Sequence, residues 1–301
     1  MKITLIPTLC AICRCDKYDQ QLYPANFEPE DINFETFSAR RLPDRIHYKI
    51  VQCQNCGLIR SNPILSSEDL ARLYQGSFFT YAQESRYAAE TYFRYAEPFL
   101  KDYAKSQIRV LEIGCGNGAF LRKLKHSGIM HVYGIEPSQE AASFDPDLKA
   151  HITRGMLAPG IFPDEFFDLI CVFQVFDHVA EPEIFLNTVR RYLKTGGKVI
   201  FIQHDAGSWS AKLFKERSPI VDIEHPFLYS KKTIRKIFEL QQFKIIKIFQ
   251  VSNRYPLSYW LKLFPLPRLF KNFILSRMEK SIIEKLPVTL SLGNMGIVAE
   301  K

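Results

Sequence analysis

No apolar run in the sequence reaches the ~18 residues that a membrane-spanning helix requires, so no spanning segment is expected. Met1-Lys2-Ile3-Thr4, followed by Pro7 and Cys10, lacks a long apolar core and a small-residue cleavage site, and no secretory leader is read there. Internal repeats and low-complexity tracts are also missing, which excludes solenoids and disordered arrays. Acidic residues are in the minority: 32 Asp and Glu face 40 Lys and Arg, for a net charge of +8. From Arg254 to Leu286 seven basic residues face two acidic ones, so five of those eight charges sit in one stretch. The basicity is therefore local and does not describe a general nucleic-acid coat. What remains is ordinary globular material. A chain of 301 residues with 47% hydrophobic and 24% charged residues can bury one large core and a small accessory domain.

The chain is organised around Val110-Leu111-Glu112-Ile113-Gly114-Cys115-Gly116-Asn117-Gly118-Ala119-Phe120-Leu121. It reads as a buried apolar strand, a glycine-dense turn and the start of a helix, the place where open α/β sheets bind nucleotides. Glycines there permit positive φ and leave no Cβ between backbone and ligand. Two readings compete. Gly114-x-Gly116-x-x-Ala119 satisfies the dinucleotide fingerprint. The same residues as Glu112-x-Gly114-x-Gly116-x-Gly118 resemble the S-adenosylmethionine loop of class I methyltransferases. A second strand, His131 to Glu136, ends in an acid 20 residues after Gly116, where a carboxylate can accept hydrogen bonds from both ribose hydroxyls of either ligand.

Seven cysteines include Cys10-x-x-Cys13 and Cys53-x-x-Cys56, two knuckles that suit tetrahedral, structural Zn(II) and a reducing cytoplasm better than a disulfide framework. Gly57 is expected to let the backbone turn and aim amides at the sulfurs, and Cys15 could replace Cys13 or stand by. Residues 1–75 thus read as a zinc-ribbon-like domain whose stability comes largely from its metal. Residues 76–106 read as a linker. It holds an aromatic loop, Gly76 to Tyr81, that could fold over a ligand, and a helix from about Glu84 to Tyr103. Tyr87, Tyr92, Phe93, Tyr95 and Phe99 at helical spacing on that helix are expected in the core.

From 107 onward strands are expected near 109–113, 131–136, 150–153, 167–173, 197–203 and 243–250, alternating with helices in a doubly wound α/β sheet. The motif order is Glu-x-Gly-x-Gly-x-Gly, a strand-end acid, Phe167-Asp168-Leu169-Ile170, Asp177-His178-Val179 and Leu193-Lys194-x-Gly196-Gly197. It resembles a class I S-adenosylmethionine-dependent methyltransferase over about residues 107–301. The double knuckle resembles the zinc-binding domain that precedes such enzymes in bacterial sugar and polysaccharide pathways. The resemblance implies a seven-stranded Rossmann-like sheet whose last strand, near Asn294 to Ala299, inserts antiparallel beside the strand at Phe243 to Gln250. It also implies S-adenosyl-L-methionine as cofactor, held by Glu112, Gly114, Cys115, Gly116, Gly118, Glu136, Met156 and Gln174. The acid that many relatives use for the adenine amino group is missing from Arg154-Gly155-Met156-Leu157, which leaves the Met156 backbone and apolar side chains for that task.

Methyl transfer from a sulfonium is an in-line displacement that needs alignment and exclusion of water. A hydroxyl nucleophile also benefits from a base, and a carbon acid requires one. The candidates are His178, His204 with Asp205, and His225 in Asp222-x-Glu224-His225, with His204 or His225 favoured and His178 equally readable as a cofactor-loop residue. An insertion at about 254–288 mixes Trp260, Phe264, Phe270 and Phe273 with Lys262, Lys271 and Arg277. Through residues 256–286 it could serve as a lid, a homodimer face, or a peripheral contact at the inner membrane surface. The leading expectation is methylation of a sugar, sugar nucleotide or envelope glycan precursor. An RNA methyltransferase docking through its ribbon is disfavoured, because the Asn/Asp-Pro-Pro-aromatic motif is missing and the ribbon is not markedly basic. A non-catalytic cofactor-binding protein is the third reading.

Overall fold

Val110, Leu111 and Ile113 are at most 3% exposed, as a strand covered on both faces requires. The computed structural model describes residues 3–37, 45–78, 82–101, 103–139, 148, 151–264, 268–278, 281 and 286–301. The N-terminal elements are β1 (Leu5–Ile6), β2 (Asp19–Tyr23), β3 (Ile50–Cys53), β4 (Ile59–Ser61) and β5 (Ile64–Leu65), then α1 (Ser67–Gln75) and α2 (Ala82–Leu100). Ser66 caps α1, its hydroxyl accepting from the Asp69 amide. The main sheet comprises β6 (Arg109–Ile113), β7 (His131–Glu136), β8 (Ile152–Arg154), β9 (Phe167–Phe173) and β10 (Leu193–His204). Helices α3 (Ala119–His126) and α4 (Pro182–Tyr192) connect them. After β10 come α5 (Trp209–Phe214), β11 (Phe227–Leu228), α6 (Lys231–Leu240), β12 (Lys244–Pro256), α7 (Leu257–Leu263), α8 (Arg268–Met278) and β13 (Pro287–Glu300).

The seven-stranded sheet runs β12-β13-β10-β9-β6-β7-β8. Strand β13 lies antiparallel between β10 and β12, while the pairs from β10 to β8 are parallel. The expected Rossmann-like sheet with an antiparallel last strand is therefore the observed one. Strand order reverses at β6, so the turn after β6 opens at the switch point, where ligands bind in such sheets.

Within the N-terminal residues β1 pairs antiparallel with β5, but the larger N-terminal sheet is completed from outside them. The order β11-β4-β3-β2 takes in Phe227–Leu228, which follow β10 in the chain, with Phe227 opposite Arg60. Cys10, Cys53 and Cys56 share one core cluster with Leu111 and Ile170. Arg60 is fully buried and held bidentately by Asp19 at 2.7 and 2.6 Å, with the Thr8 carbonyl at 3.1 Å. That ion pair fixes β4 against β2, and β4 in turn carries β11.

Beyond the expected strand ends, β12 and β13 continue as an antiparallel pair to Pro256 opposite Pro287. The expected insertion is thus a prolonged hairpin carrying α7 and α8 at its tip. Trp260 is only 6% exposed, and its indole N–H donates to the Val288 carbonyl at 3.0 Å. Trp260 is therefore a packing residue of the hairpin, whichever of the three roles open to residues 256–286 the rest of the segment serves. Among the described residues no helix is long and apolar enough to cross a membrane. Phe79, Thr80 and Tyr81 of the expected aromatic loop lie outside the described residues.

Candidate active site

One cavity of about 570 Å³ opens at the carboxyl ends of β6, β7, β9 and β10. It gathers Glu112, Gly114, Cys115, Gly116, Glu136, Met156 and Gln174 at one end, and His178, His204 and His225 at the other. Gly118, the remaining expected cofactor residue, lies outside the lining and serves as the left-handed cap that starts α3. The glycines are needed for a reason beyond ligand approach. Gly114 and Gly118 have φ of +72° and +73°, and a Cβ on them would run into Val175 and Leu148 respectively.

Glu136 ends β7 with both oxygens engaged: Oε2 accepts from the Gly116 amide at 2.8 Å and Oε1 from the Ser138 amide at 2.9 Å. Burial nevertheless outweighs those two bonds and raises its pKa to about 7. The Glu112 carboxyl is pushed well up by burial and by the neighbouring Glu136. Its Oε2, and Oε1 of Gln174, have no hydrogen-bond partner among the described residues. Two unpartnered buried oxygens in one cavity are what a hydrogen-bonding ligand would satisfy. Helix α2 closes this end from above. Asn117 donates to the Ser85 hydroxyl at 3.2 Å, and Tyr92 stacks on Phe173 with ring centroids 4.3 Å apart.

At the other end the organising residue is Asp177, which candidate selection by sequence passed over. The turn after β9 buries it to 1% exposure and sets it beneath three imidazoles. Its Oδ2 accepts from His204 Nδ1 at 2.6 Å, and its Oδ1 stands 3.9 Å from His178 Nε2. Burial alone would raise its pKa, but the histidines, His204 foremost, hold the carboxyl far below the usual carboxylate range. His204 was expected to work with Asp205. Instead Asp205 Oδ1 accepts from the Gly207 amide at 2.8 Å, and Asp177 supplies the acid. His225 comes from a tight turn in which Asp222 accepts from the Glu224 and His225 amides. Its Nδ1 lies 2.9 Å from the Ile220 carbonyl. A carbonyl can only accept, so Nδ1 carries the proton and Nε2 keeps its lone pair. Burial, followed by the charge of His204, depresses the His225 pKa against the pull of Asp177. The His178 and His204 rings stand 4.7 and 4.8 Å from that of His225. The N-terminal elements reach this end too: the Tyr74 hydroxyl lies 3.2 Å from His178 Nδ1, and the Ser61 amide donates to the Pro226 carbonyl at 2.8 Å.

Away from the cavity, the Sγ atoms of Cys10, Cys13, Cys53 and Cys56 all lie within 4.8 Å of one another. Cys10 and Cys56 are 3.4 Å apart, and Cys13 and Cys53 3.8 Å. Thiolates at 2.3 Å from a tetrahedral zinc stand about 3.8 Å apart, so this set fits the ion. Cys15 is not one of the four and contributes its carbonyl to the Cys10 amide. Gly57 makes the expected turn at φ +84°, its own amide donating to the Cys53 carbonyl, and backbone amides reach the sulfurs: that of Cys13 donates to Cys10 Sγ at 3.4 Å.

A family model described as a methyltransferase domain matches residues 83–248, more than half of the chain. A ubiquinone biosynthesis O-methyltransferase of Bradyrhizobium diazoefficiens is 34% identical over 99 residues, 31% of this chain and 38% of that relative's length. An uncharacterized protein of Methanocaldococcus jannaschii is 31% identical over 146 residues, covering 47% of this chain and 67% of that protein. Among solved structures, a Bacillus halodurans protein assigned as a methyltransferase aligns at 16% identity with a TM-score of 0.50, over 68% of this chain and 97% of its own. A Galdieria sulphuraria protein assigned as a sarcosine dimethylglycine methyltransferase aligns at 14% identity and TM-score 0.50, over 71% and 86% of the two chains. These structural likenesses concern the fold.

Proposed function

This chain belongs to the methyltransferase domain family, and we propose that it methylates a hydroxyl or acidic carbon of a small, sugar-like acceptor. The carrying observation is the pair of oriented imidazoles, His204 on Asp177 and His225 on the Ile220 carbonyl, in the same cavity as the glycine turn and Glu136. A neutral amine needs no base to attack a sulfonium. An alcohol or a carbon acid does, so organised bases favour O- or C-methylation.

S-adenosyl-L-methionine, when bound, would supply an activated methyl group. Glu136 would accept from its ribose hydroxyls, while Glu112 Oε2 and Gln174 Oε1 are open to its other polar groups. Met156 and Tyr92 line the same end. His204, its Nδ1–H fixed on Asp177, offers the Nε2 lone pair to the acceptor proton, and the buried carboxylate stabilises the imidazolium that results. Asp222 and Glu224 add hydrogen-bonding groups suited to a polyol.

The charged lining is acidic and, among the described residues, includes no Lys or Arg. This supports a neutral acceptor body. It speaks against RNA in the cavity, and it puts any phosphates of a sugar nucleotide outside that lining. Cys10, Cys13, Cys53 and Cys56 would hold a structural Zn(II) that steadies β4 and, through Ser61, the turn bearing His225. The test is release of S-adenosylhomocysteine with a panel of sugars, sugar nucleotides and glycan precursors. His204→Ala is expected to lower turnover by about a hundredfold or more, with cofactor affinity within twofold of wild type. Unchanged turnover sinks the assignment of the base.

A further inference from the structure

We propose that Asp177, His178 and His225 form a binding site for a divalent transition-metal ion at the acceptor end of the cavity. One ligand atom from each lies within 4.8 Å of the other two. Three features of their surroundings point the same way. Asp177 spends Oδ2 on His204, whereas Oδ1 is buried with no hydrogen-bond partner among the described residues. His225 donates its Nδ1–H to a backbone carbonyl, the arrangement that metal-ligating histidines use to fix ring and tautomer, and this leaves Nε2 as a ligand. His178 Nδ1 lies against the Tyr74 hydroxyl, which orients Nε2 to within 3.9 Å of Asp177 Oδ1.

A proton cannot bridge two atoms at that distance, since hydrogen bonds between N and O end near 3.2 Å. An ion with ligands at about 2.1 Å fits between them. The three ligand atoms lie within 4.8 Å of one another, and tetrahedral ligands at that bond length stand about 3.4 Å apart, so a closure of at most about 1.4 Å completes the set. Two imidazoles and one carboxylate leave coordination positions open toward the cavity, and this N/O set differs in kind from the thiolates of the cysteine cluster.

The role of the ion rests on the methyl-transfer reading. An acceptor hydroxyl whose oxygen occupies an open position gives its proton to His204 Nε2. The oxygen takes the methyl group, and the sulfur–carbon bonding pair stays on sulfur. Occupancy itself rests only on the geometry.

The probe is Mn(II), which has little affinity for thiolates, titrated into the 301-residue chain preloaded with Zn(II) and followed by loss of the free-ion paramagnetic resonance signal. Expected is one Mn(II) per chain, weakened about tenfold or more by His178→Ala and by His225→Ala, and unaffected by His126→Ala on the exposed end of α3. S-adenosylhomocysteine titration of each variant reports an intact cavity, and His178→Gln provides a milder change at the same ligand. No saturable binding up to millimolar Mn(II), or binding indifferent to both ligand substitutions, overturns the site. The readout needs no acceptor. A failed search for methyl transfer therefore leaves the site standing, and absent Mn(II) binding leaves the methyl-transfer reading standing.

Discussion

Glu136→Gln should remove a pH dependence from the stability of the ligand-free protein. Glu136 is 8% exposed, and burial raises its pKa from 4.5 to about 7. Below pH 4.5 folded and unfolded chains both hold the proton, and the residue contributes no difference. Between 4.5 and about 7 the unfolded chain releases its proton while the folded chain keeps it, so stability falls as pH rises. At about 1.4 kcal/mol for each pH unit across that window, the loss comes to about 3 kcal/mol and is complete above pH 7. Glutamine does not titrate. It places an NH2 group against one of the two backbone amides, an offset of about 1–2 kcal/mol that does not vary with pH. The assay is urea unfolding of zinc-loaded wild type and variant at half-unit steps from pH 5 to 8, since contributions of the cysteine cluster are common to both and cancel. The expected difference in unfolding free energy between the two proteins shifts by about 3 kcal/mol toward the variant across the range. Parallel pH profiles would refute the reasoning. The ribose hydroxyls need the ionised carboxylate, so cofactor affinity of the wild type should drop about tenfold per unit below pH 7.

Asp19→Ala leaves the fully buried Arg60 guanidinium without its partner and should cost about 3–5 kcal/mol in chemical denaturation, whereas Asp16→Ala on the exposed turn nearby should be nearly neutral. On the proposal that the cysteine cluster holds Zn(II), chelation should melt β2–β4 together with β11, because they form one sheet. Amide exchange at Phe227 and Leu228 should then rise with that of Ile59 and Arg60. Trp260→Ala should destabilise by about 3–5 kcal/mol, because the indole is buried and bonded to Val288, while Phe273→Glu on the 57%-exposed face of α8 should lie within about 0.5 kcal/mol of wild type.

The main sheet was legible because its signals are local: apolar runs at Val110 to Ile113 and Leu169 to Phe173, the glycine turn between β6 and α3, and an acid at the end of β7. The antiparallel strand was legible only through motif order, since no local signal gives Val298 a neighbour as distant as Ile200. What escaped reading depends on side chains that meet from remote parts of the chain. His204 was matched with the adjacent Asp205, but its acid comes from 27 residues earlier, because the turn after β9 faces the end of β10 across the sheet edge. The strand β11 that completes the N-terminal sheet consists of two residues, too few to carry a periodicity. Trp260 among lysines has one amphipathic signature whether it faces lipid or the protein's own wall. Only the continuation of β12 and β13 beyond their expected ends decides for the wall.

The central claim is that the glycine turn and Glu136 hold S-adenosyl-L-methionine. Calorimetric titration with S-adenosylhomocysteine tests it most directly, with NADH as the competing ligand and Glu136→Ala alongside. The account predicts one-to-one binding of S-adenosylhomocysteine, lost in the variant, and no heat from NADH. Binding of NADH in its place, or S-adenosylhomocysteine binding indifferent to Glu136, would contradict it.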